Sequence, residues 1–271
     1  MNSRLPDLKK LLVDRSTDAA LISSIPNIIY LTNFSHFIEG EREAFLLITP
    51  KNQYIFTDAR YSYAVQEHVK DFILQEISVR SSLTTSLKKI IGEEHIVKLG
   101  IESDDLTVAE FRKISPLVKD TVHFDLSQLR KRKDTREISL IRKACEIGDK
   151  AFEHILLHIK PGITEKKLMF ELDTIIRKTG HDISFPSIIA FEENAAIPHH
   201  KTGHRKLTDG ELILMDFGVK YQRRQLPVRR QACFHLLDLP WHEAPHPSVA
   251  RADLQYLEHL ALYRLHIRSP D

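Results

Sequence analysis

An acid at the end of an apolar run is the sharpest chemical signal in this chain. The run Leu212-Ile213-Leu214-Met215-Asp216-Phe217-Gly218 reads as a strand that delivers Asp216 at its close. Asp216 then either terminates the strand, capping a turn with Gly218, or acts as a metal ligand or general base on a rigid element. One carboxylate cannot fix a catalytic metal, since such sites draw on about three or more protein ligands. A second signal is Ile197-Pro198-His199-His200, in a loop between two strands. These are two surface histidines, or one is a neutral imidazole placed to donate to a substrate carbonyl or a transition-state oxygen. Cys145 falls on a helix face and is expected in the core, with no basic partner to make it a nucleophile. His235, His242, His246, His259 and His266 are scattered without a zinc-type spacing.

The elements that must position these residues belong to a chain of 271 residues, enough for one or two domains with a real core. Apolar residues make up 42% and charged residues 28%, as in ordinary globular proteins. A formal net charge of +2 gives no electrostatic case for nucleic acid or an anionic membrane. There is no run of apolar residues long enough for a membrane span. Met1 to Ser16 lacks the apolar core of an export signal, and the cysteines Cys145 and Cys233 lie far apart, so a reduced, cytoplasmic protein is expected.

Residues 1–130 alternate between strand and helix patterns and read as an α/β domain on a mixed sheet. Ala19 to Ile22 is a buried strand, while Ala44 to Thr49 and Tyr54 to Thr57 form a hairpin. Leu8 to Val13, Tyr61 to Val69 and Thr107 to Ile114 are helical, and Leu99 to Glu102 is a short strand. Leu129-Arg130-Lys131-Arg132-Lys133 reads as a solvated joint.

A second unit, 131–222, opens with the capping-box phrase Asp134-Thr135-Arg136-Glu137. Ile138, Ile141, Cys145, Phe152, Ile155, Leu156 and Ile159 mark one helix face, and Lys160-Pro161-Gly162 stops the helix. Thr164 caps the next helix, with Leu168, Leu172, Ile175 and Ile176 buried and Gly180 as its C′ residue. Ser187 to Phe191 is a strand, Glu192 to Asp209 a polar loop, and Glu211 to Phe217 a second strand. The composition changes in 223–271, which hold no Lys and no Gly but five His, five Pro and the only Trp, Trp241. A helix is expected from Ala250 to Ile267, with no pattern linking this tail to the strand before it.

Taken in order, these segments resemble the aminopeptidase P, prolidase and creatinase family of Xaa-Pro peptidases, the pita-bread metallopeptidases. Asn27 to Phe34, Thr57-Asp58-Ala59-Arg60-Tyr61 and Gly100-Ile101-Glu102 resemble phrases of its N-terminal domain. Lys133 to Ala144 resembles the first helix of its catalytic domain. Phe185 to Ala190 with Asn194 to His199 resembles the first catalytic strand and its histidine loop, and Leu214 to Gly218 the strand bringing the first metal ligand. The resemblance implies a creatinase-like α/β N-terminal domain followed by a partial α+β pita-bread domain. It implies hydrolysis of the bond before proline by two divalent metals (Mn, Co or Zn) held by two Asp, one His and two Glu. The implied partner is a peptide with proline at its second position, with neither nucleic acid nor membrane involved, and a homodimer is admitted. His199 matches the family histidine that contacts substrate outside the metal shell, and Asp216 matches the first ligand.

The chain departs from the family after Gln222. Where a second Asp is expected stands Pro227, and Gln225 to Arg229 resembles nothing in the family. Only 55 residues follow Asp216, too few to supply the remaining His and two Glu. The expectation is an incomplete, inactive member of the family that does not bind the metal pair. Its tail is read as foreign to the fold, from a change of reading frame, which would leave the edge of the Leu212 to Phe217 strand bare. The rival readings are a non-catalytic pita-bread relative that binds peptides or proteins, and an unrelated α/β protein.

Overall fold

The computed structural model describes residues 4–38, 40–179 and 181–221, and the backbone of 231–237. Two compact units divide in sequence between Ile138 and Ser139.

In the first unit, α1 (Arg4–Asp14), β1 (Ala19–Ile22) and α2 (Ile25–Thr32) come first. The hairpin β2 (Ala44–Ile48) and β3 (Gln53–Thr57) follows, then α3 (Ala59–His68) and β4 (Ile73–Glu76). The unit continues with α4 (Leu83–Glu93), β5 (Lys98–Ile101), α5 (Val108–Ile114), β6 (Asp120–His123) and α6 (Ser127–Lys131). The six strands form one mixed sheet in the order β4-β3-β2-β1-β5-β6. β1 pairs antiparallel with β2 and parallel with β5. Alternation along β1 sends Ala20 and Ile22 to one face and Ala19 and Leu21 to the other. The first face packs on Leu8 and Leu12 of α1 and Ile28 and Leu31 of α2. The second packs on Leu87, Ile90 and Ile91 of α4. A sheet buried on both faces needs continuously apolar strands, which is why β1 reads AALI and β2 reads AFLLI.

The basic joint is partly ordered. Arg130 lies in α6 and donates to Asn27 Oδ1 at 2.9 Å, and Tyr30 Oη donates to the Leu129 carbonyl at 3.1 Å. Lys131 to Arg136 are exposed.

α7 (Thr135–Leu156) starts at the expected capping box. The Glu137 amide donates to Asp134 Oδ1 at 2.7 Å and the Asp134 amide to Glu137 Oε2 at 2.9 Å. The expected apolar face needs correction. Ala144, Gly148, Ala151, Phe152 and Ile155 are buried, whereas Cys145 is exposed and Ile138 is 43% exposed. The buried stripe follows small residues at a spacing of three and four, one position away from the line through the larger side chains. α8 (Glu165–Lys178) is capped by Thr164, whose side chain accepts from the Lys167 amide. Leu168, Leu172 and Ile176 form its buried face. Gly180 lies outside the described residues.

β7 (Asp182–Ile183), β8 (Ile188–Phe191), a short 3-10 helix (Glu192–Ala196), β9 (Ile213–Lys220) and β10 (Gln231–Leu237) complete the described elements. β9 is central, with β7 and β8 paired along it and β10 on its other side, all antiparallel. Ile213, Met215, Phe217 and Val219 turn toward α7 and α8 with Ile189 and Phe191 of β8. Two expectations are corrected. β9 runs on through Gly218 to Lys220, so Asp216 is mid-strand and does not terminate it. The β9 edge is not bare, because β10 of the atypical tail pairs with it from Ile213 to Gly218. The expected helix from Ala250 to Ile267 falls outside the described residues. No helix among the described residues is long and apolar enough to cross a membrane.

Candidate functional site

The apolar alternation of β9 places Asp216 on the face away from the helices, between Met215 and Phe217, which fill the core. Its Oδ1 is buried and has no hydrogen-bond partner among the described residues. Burial pushes the carboxyl above the usual Asp range, and the nearby His199 charge pulls partly the other way. The structure therefore brings the two sequence-predicted site residues, Asp216 and His199, within electrostatic reach of each other.

His199 occupies a tight turn. The His200 amide donates to the Ile197 carbonyl at 3.2 Å, closing a four-residue turn with Pro198 second and His199 third. His199 has φ of +54°, the left-handed conformation that a type II turn requires at its third position. Gly or Asn usually fills that place, and a side chain there costs on the order of 1 kcal/mol of backbone strain. Its side chain is exposed.

His200 is engaged elsewhere. Its side chain is 13% exposed and its Nε2 donates to Glu165 Oε2 at 3.0 Å. Glu165, in the first turn of α8, has a fully buried side chain at 0% exposure. Its Oε1 accepts from the Phe191 amide at 3.0 Å and from Asn194 Nδ2 at 2.7 Å. Its Oε2 also accepts from the Gly203 amide at 2.9 Å. Burial alone would push this carboxyl up, but donors from Asn194, His200, Phe191 and Gly203 outweigh it and hold the carboxyl below its ordinary range. The far end of the loop is pinned by Arg205, which forks onto Glu193 and Glu211 at 2.7–2.9 Å. That pairing draws Glu211 down to about 2.

Sequence reasoning missed Glu165 and Arg205, and read Asn194 only as part of the histidine-loop phrase. Glu165 had a local signal, an acid just after the Thr164 cap, but that pattern ordinarily marks a solvated partner of the helix dipole. Its partners lie 26 to 38 residues downstream, beyond any local pattern.

Among the described residues, the donor set around Asp216 does not fit a metal pair. Directly across β9 stand Ile188 on β8 and Phe234 on β10, and neither residue type has a ligand atom. His235 and Cys233 of β10 sit opposite Met215 and Phe217, one register position off the Asp216 line. Among the described residues no three His, Cys, Asp or Glu side chains gather as a metal site. Asp216 and His199 can hold and move a proton and orient a polar group, while the loop holds the imidazole at its tip.

Residues 4–133 match the creatinase/prolidase N-terminal domain, and residues 139–250 match metallopeptidase family M24. The second match runs past Gln222 into the atypical tail. An uncharacterized peptidase of Bacillus subtilis, YqhT, is 30% identical over 229 residues, covering 81% of this chain and 62% of its own length. A putative Xaa-Pro aminopeptidase of Mycoplasma pneumoniae is 29% identical over 222 residues, with 82% and 60% covered. Among solved structures, an Xaa-Pro dipeptidase from Bacillus anthracis superposes with a TM-score of 0.73 at 26% identity, covering 80% of this chain and 61% of that one. An X-Pro aminopeptidase from Thermotoga maritima gives 0.67 at 28% identity, with 81% and 61% covered. The chain thus spans about 60% of the length of the curated relatives it matches.

Proposed function

We propose that this chain, which belongs to metallopeptidase family M24 and carries a creatinase/prolidase N-terminal domain, presents the substrate-facing half of an Xaa-Pro peptidase site without its catalytic metal pair. The reading rests most on Asp216. Its buried Oδ1 has no partner among the described residues, as suits a group meant to meet something not of its own fold, yet Ile188, whose side chain has no ligand atom, stands across from it in the sheet. In the complete family a metal pair supplies a bound hydroxide as nucleophile. What this chain's own residues supply is narrower. His199, exposed at the turn tip, donates to a peptide carbonyl, and Asp216 receives or holds a proton beside it. The partner is a peptide with proline second, in the cytoplasm.

A second reading is a non-catalytic relative that binds peptides or proteins. The pairing of Asp216 with Ile188 across the sheet favours it over catalysis, because an apolar residue there suits a bound chain better than a hydrated cation.

The test is metal analysis together with peptide turnover on the full chain. With Mn, Co or Zn added, the expected result is no stoichiometric pair and no release of the residue before proline. Activity abolished by Asp216→Ala would refute the proposal. Saturable binding of an Xaa-Pro peptide without turnover, weakened by His199→Ala, would select the binding reading.

A further inference from the structure

Burying a carboxylate completely is costly unless every acceptor site is filled, and replacing such a group by an apolar one is often neutral or better for stability. Glu165 is nonetheless fully buried, at the start of a helix that Thr164 already caps. Its two oxygens each take two donors, which fills a carboxylate's capacity. The four donors come from Phe191, Asn194, His200 and Gly203, so they bracket one loop at its start, middle and end.

We propose that Glu165 is the positioning residue of the His199 turn: a buried carboxylate that clamps the loop from Phe191 to Gly203 and leaves His199 as the projecting tip. The proposal rests on the reading that His199 is the working imidazole. Three further contacts fasten the same helix end to the loop's return. The Glu165 amide donates to the Arg205 carbonyl at 3.1 Å, the Lys166 amide to the Gly203 carbonyl at 2.9 Å, and Thr164 bridges to Lys206. Inside the clamp, the Ile197 amide donates to the Asn194 carbonyl at 3.1 Å, and the His200 amide closes the turn at 3.2 Å. With Asn194 and His200 both held on the carboxylate, the segment between them runs as a tight turn. Within that turn His199 takes φ of +54°, a conformation uncommon for any residue but glycine. His200 is then a member of the clamp, and the chemical likeness of the two neighbouring histidines hides a division of labour. A clamp of this kind keeps a reacting group within the narrow positional tolerance a site needs.

The test is amide hydrogen exchange and backbone NMR on the full chain, without peptide or metal. In Glu165→Gln, one oxygen is replaced by an NH2 that faces two of the four donors. Exchange at Phe191, His200 and Gly203 should rise by about tenfold or more, while Met215 and Phe217 in β9 stay within about threefold. The Cα and Cβ chemical shifts of His199 should leave their left-handed values. Should Glu165→Gln not fold, Asn194→Ala and His200→Ala each remove one donor and should raise loop exchange by a smaller factor with the same pattern. An equal rise at loop and β9 amides would reduce Glu165 to a general stabiliser and overturn the proposal. Unchanged His199 shifts in a folded Glu165→Gln protein would do the same. Because no substrate enters the measurement, it can fail while the peptidase-family reading stands, and the converse also holds.

Discussion

Replacing His199 and His200 one at a time by alanine separates their roles without any activity assay. His200 gives a largely buried ring to a fully buried carboxylate at 3.0 Å. Loss of one charge-assisted hydrogen bond of that kind costs about 1.5–3 kcal/mol, since Glu165 is left with an unmet acceptor site. His199 is exposed, and His199→Ala keeps the strained φ of +54°. Its effect should stay within about 0.5 kcal/mol, as for other surface changes. His199→Gly relieves about 1 kcal/mol of backbone strain and loses roughly half of that to the freer unfolded chain. The expected order of stability is therefore His199→Gly, slightly above or equal to wild type, then His199→Ala, then His200→Ala lower by about 2 kcal/mol. Thermal unfolding followed by circular dichroism should show His200→Ala falling by roughly 4–8 °C, for a chain of this size. The pH dependence gives a second check. The Glu165 carboxyl is held below its ordinary value in the fold, so the stability it contributes is fully present above the unfolded-state pKa and is lost as pH falls through the lowered folded value. The gap between His200→Ala and wild type should thus close in acid. Equal destabilisation by the two alanine variants, or a larger effect of His199→Ala, would refute the reasoning.

Other outcomes follow from the same contacts. Asp216→Asn should stabilise the protein by about 1 kcal/mol at neutral pH, because it removes the buried charge of a carboxyl whose Oδ1 has no partner among the described residues; a loss of stability in urea melts would show that Asp216 has a structural partner. Gly100→Ala should destabilise the first unit by about 1–3 kcal/mol in urea melts, because a Cβ there would lie 2.8–2.9 Å from the buried Phe124 side chain, and an unchanged midpoint would refute that close approach. Limited trypsin treatment should cut first within the exposed Lys131 to Arg136, and early cutting inside Ala44 to Phe56 would count against the division into two units.

Much of the framework was legible because it is locally encoded. The capping box at Asp134 and Glu137 needs only residues three apart, and Thr164 marks its helix start by type and place. The apolar runs of β1, β2 and β9 announce strands buried in a sheet. Asp216 and His199 stood out as an acid in an apolar run and an imidazole beside a proline. What escaped depends on distance or on subtle face geometry. The α7 stripe turns on Ala144, Gly148 and Ala151, whose small side chains carry a weak apolar signal, so Cys145 was misplaced into the core. Gly218 looked like a stop, although glycine inside a strand also marks close approach, and β9 continues through it. β10 was not expected from a tail of unusual composition, yet its Cys233 to Leu237 stretch pairs with β9. Glu165 could not be assigned its task before the loop it holds had been seen.

The strand order of the first unit also dictates when that unit can assemble during synthesis. β1 emerges early but lies between β2 and β5, and its pairing of Ala19 with Leu99 waits on chain made much later. At ribosomal speeds of about 5–20 residues per second, that interval is roughly 4–16 seconds, far longer than hairpin closure. Until then the short apolar edge of β1 stands open beside β2 and β3, even once α4 (Leu83–Glu93) has been made to cover the second face. A nascent chain stalled just before Lys98 should therefore bind trigger-type holdases and resist compaction, and one stalled beyond His123 should not.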